Sequence, residues 1–246
     1  MKDKYIYGLH AVQAALEHSP QNIKSLWIQQ DKKDPKIQQI LDLAAKHNIS
    51  VQPITSKKLD QMLPHCNHQG VAAISIKTTY HESDLSIILK NIPTPPLLLI
   101  LDGIQDPHNL GACLRTANAA GVHAVIAPKD KAAGLTPTVC KVASGAAETT
   151  PFIQVTNLVR TIQQLKEQGI WIYGTAHDAP KSIYAMDFTA PIAIVLGSED
   201  KGLRRLTREH CDELISIPMA GTVSNLNVSV ATGICLFEAI RQRSQF

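Results

Sequence analysis

The chain has 246 residues, a hydrophobic share of 44% and a formal net charge of +3. That length suits two folding units better than one, the apolar share is that of an ordinary globular core, and no apolar run reaches the length of a membrane-spanning helix. The opening MKDKYIYGLHAV carries charge without an apolar secretory core, so a cytoplasmic protein without a membrane partner is expected. Cys66, Cys113, Cys140, Cys211 and Cys235 are widely separated and lack paired ligand spacing. They read as small buried hydrophobes, with no metal site expected.

Residues 1–77 hold ten lysines against five aspartates and one glutamate, a net +4 that leaves −1 for the remainder. Such a surface is either simply solvated or a patch for RNA phosphates. In chain order, LHAVQAALEH reads as a helix, SLWIQQ as a strand, PKIQQILDLAAKHN as a helix, SVQPIT as a strand, KKLDQML as a helical segment and GVAAISI as a strand. This first module, 1–77, is a small α/β domain. The proline-rich KTTYHESDLSIILKNIPTPP breaks the pattern and predicts a linker over 78–96.

The second domain, 97–246, opens with the strand LLLILDG, the helix LGACLRTANAAG and the strand HAVIAP. NLVRTIQQLKEQG follows as an amphipathic helix, then IWIYGTA and IAIVLG as strands. Thr207–Leu214 reads as a short helix, ELISIPM as a strand and NVSVATGICLFEAIRQR as a long closing helix. Alternation of this kind predicts an α/β fold, a mostly parallel sheet with helices on both faces.

Three polar turns interrupt this domain at strand ends: DGIQDPHNLG, GSEDKG and PMAGTVSNLN. Parallel strands would gather them along one rim, where open α/β sheets bind ligands. GSEDKGL does not match a phosphate-binding P-loop, and no GxGxxG opens a helix, which disfavours a nucleotide hydrolase or a standard dinucleotide site. Taken singly, Asn109 and Asn227 are ordinary helix caps, Arg115 a partner for a surface carboxylate, and Glu199 a turn residue. Their joint placement at converging turns is what points to chemistry. His108 reads as a turn-stabilising or RNA-contacting residue.

The stretches DPHNLGACLRTANAAG, KVASGAAETTPF, IVLGSEDKGL and LISIPMAGTVSNLNVSVATGICLFEAIRQR resemble, in order, the motifs of the SpoU (TrmH-type) branch of the SPOUT RNA methyltransferases. YGLHAVQAAL and NHQGVAA resemble the small substrate-binding domain of the subgroup of that branch acting on 23S rRNA. The resemblance implies a ribose 2′-O-methyltransferase using S-adenosylmethionine, a guanosine of the peptidyl-transferase region of 23S rRNA as substrate, a homodimer, and a C-terminal trefoil knot. Connectivity rules alone predict an unknotted sheet. Also implied are Asn109, Arg115, Glu199 and Asn227 as catalytic positions, and Gly197, Ile217 and Leu226 as cofactor-binding ones. The family pattern differs at Asp200, where a glycine is usual, and at Asn225, where a serine is usual. Alternatives are the same chemistry on tRNA or another rRNA nucleotide, and an inactive RNA-binding ribosome-assembly factor.

Overall fold

The computed structural model describes residues 4–18, 20–30, 32, 34–64, 66–75 and 80–244. By packing the chain forms two units, the first made of 1–79 with 140–149 and the second of 80–139 with 150–246. In chain order the first unit carries β1 (Lys4–Tyr7), α1 (Leu9–His18), β2 (Ile23–Gln29), α2 (Pro35–Lys46), β3 (Ser50–Ile54), α3 (Ser56–Met62) and β4 (Val71–Ser75). Its sheet has the order β1-β4-β2-β3, with β2 and β3 parallel and the other pairs antiparallel.

Side-chain alternation along these strands builds two cores. Leu26 and Val71 meet Leu16 and Ile40 of α1 and α2 on one face, while Ala72 on the other lies with Leu59 of α3. Pro35 and the Asp34 cap, whose carboxylate accepts the Lys36 N–H at 2.9 Å, start α2. In the NHQG segment, buried His68 accepts the Gly70 N–H on Nδ1 at 3.0 Å, so its Nε2 donates to Asp60 at 2.9 Å. β1 is a strand that the sequence reading passed over. The end of the predicted strand at Ile76 lies outside the described residues.

Two corrections concern the boundary. Positions 78–79 of the predicted linker lie outside the described residues, and 80–96 is not a linker. It contains α4 (Leu85–Lys90), whose Leu85 is buried in the core of the second unit. Glu82 accepts the Thr156 N–H at 3.1 Å and Arg160 Nη2 at 3.1 Å, fastening this stretch to the same unit. Second, residues 140–149, read as part of the later domain, pack with the first unit.

The second unit continues with β5 (Leu97–Asp102), α5 (Pro107–Ala119) and β6 (Ala124–Pro128). The chain then passes through α6 (Pro137–Ala143) and α7 (Ala146–Thr149) before returning as β7 (Phe152–Val155) and α8 (Leu158–Glu167). β8 (Trp171–Thr175), β9 (Lys181–Ser182), β10 (Ile192–Gly197), α9 (Arg205–His210), β11 (Glu213–Ser216) and α10 (Val228–Arg243) complete it. All seven strands are parallel, in the order β7-β6-β5-β10-β8-β11-β9. β5 and all but the last residue of β10 are fully buried, which is why they read as unbroken apolar runs.

The predicted helix at Thr207–Leu214 is shorter, ending at His210. Asp212 accepts the Ile172 N–H at 2.9 Å and pairs with Lys166 at 2.7 Å, and these bonds hold the chain in the extended course that becomes β11. Arg243, at the end of α10, donates to the carbonyls of Pro95, Pro96, Phe188 and Ala190 at 2.6–3.1 Å, tying the last helix to the strand entrances.

Candidate active site

β5 and β10 are neighbours in register, and Asp102 is the Cα partner of Gly197 at their carboxyl ends. From β5 the chain runs to β6 and β7 on one side, while β8 and β11 lie on the other. The crevice at these ends is therefore where the order of strands reverses. Turns after β5, β10 and β11 supply the residues singled out from the sequence.

α5 is capped by Asp106, whose carboxylate accepts the His108 N–H at 2.9 Å, and not by Asn109. Asn109 is thereby free in the first turn to donate from Nδ2 to Glu199 Oε1 at 3.1 Å. Asn227 does cap α10, its Oδ1 accepting the Ser229 N–H at 2.9 Å. The same amide turns its Nδ2 toward Asn109 Oδ1 at 3.0 Å and makes a short hydrogen bond to Glu199 Oε1. The Val228 N–H adds a further donor to that oxygen at 3.3 Å. Cap and site are thus two ends of one side chain, and three donors converge on one carboxylate oxygen.

Arg115 stands outside this network. It is exposed on α5, seven residues beyond exposed His108 and so on the same helical face, with no hydrogen bond or ion pair among the described residues. Cys113 is buried, its Sγ lies 3.4 Å from Thr232 Oγ1, and burial pushes its thiol up to about 11, which removes it as a nucleophile at neutral pH.

Beside the network lies a cleft of about 310 Å³ lined by Gly197, Ile217 and Leu226 together with Glu199, Thr175 and His177. That volume is within the range of small-ligand sites, about 300–1,000 Å³. The turn after β10 is closed by mutual Ser198 and Gly202 backbone bonds of 3.1 and 2.8 Å. A Cβ on Gly197 would lie 2.0 Å from the Gly202 carbonyl carbon, so only glycine admits this approach. Asn225 and Ser224 both line the cleft, as does Asp200.

The sequence reading missed Arg208 and Asp178. Arg208 lines the cleft and holds both Asp178 oxygens at 3.0 and 2.9 Å; these bonds keep the Asp178 carboxyl below its usual range. No one-dimensional signal links the two residues, because they meet only once β8 and α9 are in place. Among the described residues no helix is long and apolar enough to cross a membrane.

Family models match both parts of the chain: residues 96–237 match the SpoU rRNA Methylase family, and residues 5–80 match RNA 2′-O ribose methyltransferase substrate binding. The 23S rRNA (guanosine-2′-O-)-methyltransferase RlmB of Pseudomonas putida is 53% identical over 97% of this chain and 96% of its own length. That of Vibrio vulnificus is 54% identical over 99% and 98%. Among solved structures, the SpoU methyltransferase AviRb from Streptomyces viridochromogenes in complex with the cofactor AdoMet is 24% identical. It has a TM-score of 0.78 and covers 98% of this chain and 90% of that one, a likeness of fold. With a family model across the parallel-sheet unit and relatives more than half identical over nearly its whole length, the chain belongs to the SpoU rRNA methylase family.

Proposed function

We propose that this protein transfers the methyl group of S-adenosylmethionine to the ribose 2′-hydroxyl of a guanosine in the peptidyl-transferase region of 23S rRNA, in the cytoplasm. The observation that carries the reading is the joining of Asn109, Glu199 and Asn227, from three strand ends, beside a cleft lined by Gly197, Ile217 and Leu226. Relatives bearing the name of that activity match across both units.

The cleft fits the cofactor in kind, being of small-ligand size and bounded at Gly197 by Gly202–Leu203 backbone that approaches too closely for a side chain there. Gly197, Ile217 and Leu226 would hold it, and when bound it supplies an electrophilic sulfonium methyl group. The chain's part is placement of the ribose oxygen, which provides much of the acceleration in transfers of this kind. Arg115, exposed and without a protein partner among the described residues, anchors the neighbouring phosphate and stabilises charge developing on the ribose oxygen. A guanidinium resists deprotonation at neutral pH, so Arg115 is not the proton acceptor. Glu199 and the two asparagine amides hold the ribose edge of the pocket. The lysines of residues 1–77 contact phosphates, with unpaired bases supplying selectivity.

The working form is a homodimer. Val230 and Phe237, seven residues apart on α10, are 51% and 49% exposed and form an apolar face that a second copy would cover. The resemblance further implies that the C-terminal segment is threaded as a trefoil knot.

The test is mass-spectrometric mapping of 2′-O-methylation on 23S rRNA from cells with and without the protein, repeated with purified protein and AdoMet. A guanosine methylated only when the protein is present is the expected result. Methylation confined to tRNA, or none with purified protein, would overturn it. Arg115→Ala should lower methylation while leaving AdoMet affinity unchanged, with Arg115→Lys intermediate.

A further inference from the structure

Asp102 is the least explained charged residue of the second unit. It ends β5 with its side chain wholly buried, where a carboxylate is costly unless paired. One oxygen accepts the Arg204 N–H at 2.9 Å. The other makes no hydrogen bond, and Arg204 Nε stands 3.4 Å from it. Both oxygens therefore face a single residue, once through its backbone and once through its guanidinium. The Arg204 Nη2 continues to the Asp130 carbonyl at 3.1 Å, beyond the end of β6. Gly103, at φ +82°, passes under the same guanidinium, whose Nη2 would be 3.3 Å from a Cβ there.

The position of Arg204 gives this pairing its consequence. It is the N-cap of α9 and follows directly on the Gly202–Leu203 segment that touches Gly197. The turn carrying Glu199 is thus fixed at its entry by β10, across its neck by the Ser198 and Gly202 bonds, and at its exit by Asp102. The turn carrying Asn109 begins at Asp102 itself. One buried carboxylate therefore relates the two segments whose side chains meet at Glu199 Oε1.

We infer that Asp102 and Arg204 act as a positioning clamp for methyl transfer, setting Glu199 against Asn109 and Asn227 and shaping the adjacent cleft. Neither touches the reacting atoms. The inference rests on the function proposed above, and it assigns to these residues the geometry of the site. Misplacement of a catalytic constellation by about 1 Å costs up to roughly 100-fold in rate.

The experiment compares the parent with Asp102→Asn, Arg204→Lys and Arg204→Ala. Three quantities are measured: the melting temperature, AdoMet affinity by calorimetry, and kcat and KM on 23S rRNA. Asp102→Asn keeps the shape but turns an amide toward the guanidinium. Roughly 10- to 100-fold lower kcat, weaker AdoMet binding and an RNA KM within about threefold of parent are expected. Arg204→Ala, at a half-exposed side chain, keeps the protein folded should the buried substitution not, and the same pattern is expected of it. Arg204→Lys keeps the charge beside Asp102 and should restore part of kcat over Arg204→Ala. Parental kcat per folded molecule in Arg204→Ala, or equal losses in the lysine and alanine variants, would overturn the clamp. A parent protein that methylates no RNA would instead refute the proposed function.

Discussion

Replacing Gly197 with alanine tests how tightly the turn after β10 is built. The added Cβ would lie 2.0 Å from the Gly202 carbonyl carbon, 2.2 Å from its oxygen and 2.3 Å from the Leu203 nitrogen. Ordinary contact begins at 3.4 Å, so the nearest atom must recede by 1.4 Å, the difference of 3.4 and 2.0. All three atoms are backbone, with no rotamer to relieve the overlap. Overpacking of this kind costs about 1–3 kcal/mol, and losing the two Ser198–Gly202 bonds adds about 0.5–1.5 kcal/mol each. The total, about 2–6 kcal/mol, emerges in one of two ways. Expressed in global stability, it lowers Tm by about 4–24 °C for a chain of this size. Absorbed by displacement of the turn, even 2 kcal/mol weakens AdoMet about 30-fold. Scanning fluorimetry and titration calorimetry read the two together. Gly134→Ala is the control, since its nearest neighbour is the Gln154 side chain at 3.5 Å, and it should stay within about 0.5 kcal/mol. A Gly197→Ala protein with Tm within about 1 °C and Kd within about twofold of parent would refute the steric reasoning.

Arg243→Ala should destabilise by about 3 kcal/mol, because four carbonyls lose one charged donor; chemical denaturation with parental stability would count against that account. His123, whose Nδ1 accepts the Leu97 N–H at 3.0 Å, is held below its ordinary 6.5 first by burial and further by the Arg243 charge. The unfolded chain therefore takes up the proton first, and stability should fall as pH drops below about 6.5 toward the folded value. His123→Gln should flatten that part of the pH–stability curve, and an unchanged slope would exclude the histidine as its source. Phe237→Glu should convert a dimer to monomer in sedimentation experiments, whereas a parent protein that is already monomeric would remove the dimer from the proposal.

What the sequence disclosed follows from where each element sits. LLLILD and IAIVLG announce themselves because both faces of those strands are buried. KYIY and FIQV, strands at the edges of their sheets, are too short for alternation to register, and both were missed. The proline cluster near Pro93 to Pro96 suggested a linker and concealed α4, whose Leu85 reports its burial only through the partners it meets in space. Asn109, Glu199 and Asn227 were legible as residues in polar turns. Their mutual bonds span separations of 90, 118 and 28 residues, which no local pattern encodes. Arg204 was invisible for a related reason: one arginine in GLRRLTREH looks much like the next until Asp102 selects it.

The return of residues 140–149 to the first unit bears on how the protein emerges from the ribosome. α7 packs on α1, and Gly145, at φ +94°, lies so close that a Cβ there would sit 2.6 Å from the Ala14 side chain. That piece is synthesised only after a further 60 residues, 80–139, have been added to the second unit. At about 5–20 residues per second the first unit waits about 3–12 s for it. During that interval the side of α1 that bears Ala14 is without the cover that α7 gives it in the finished protein.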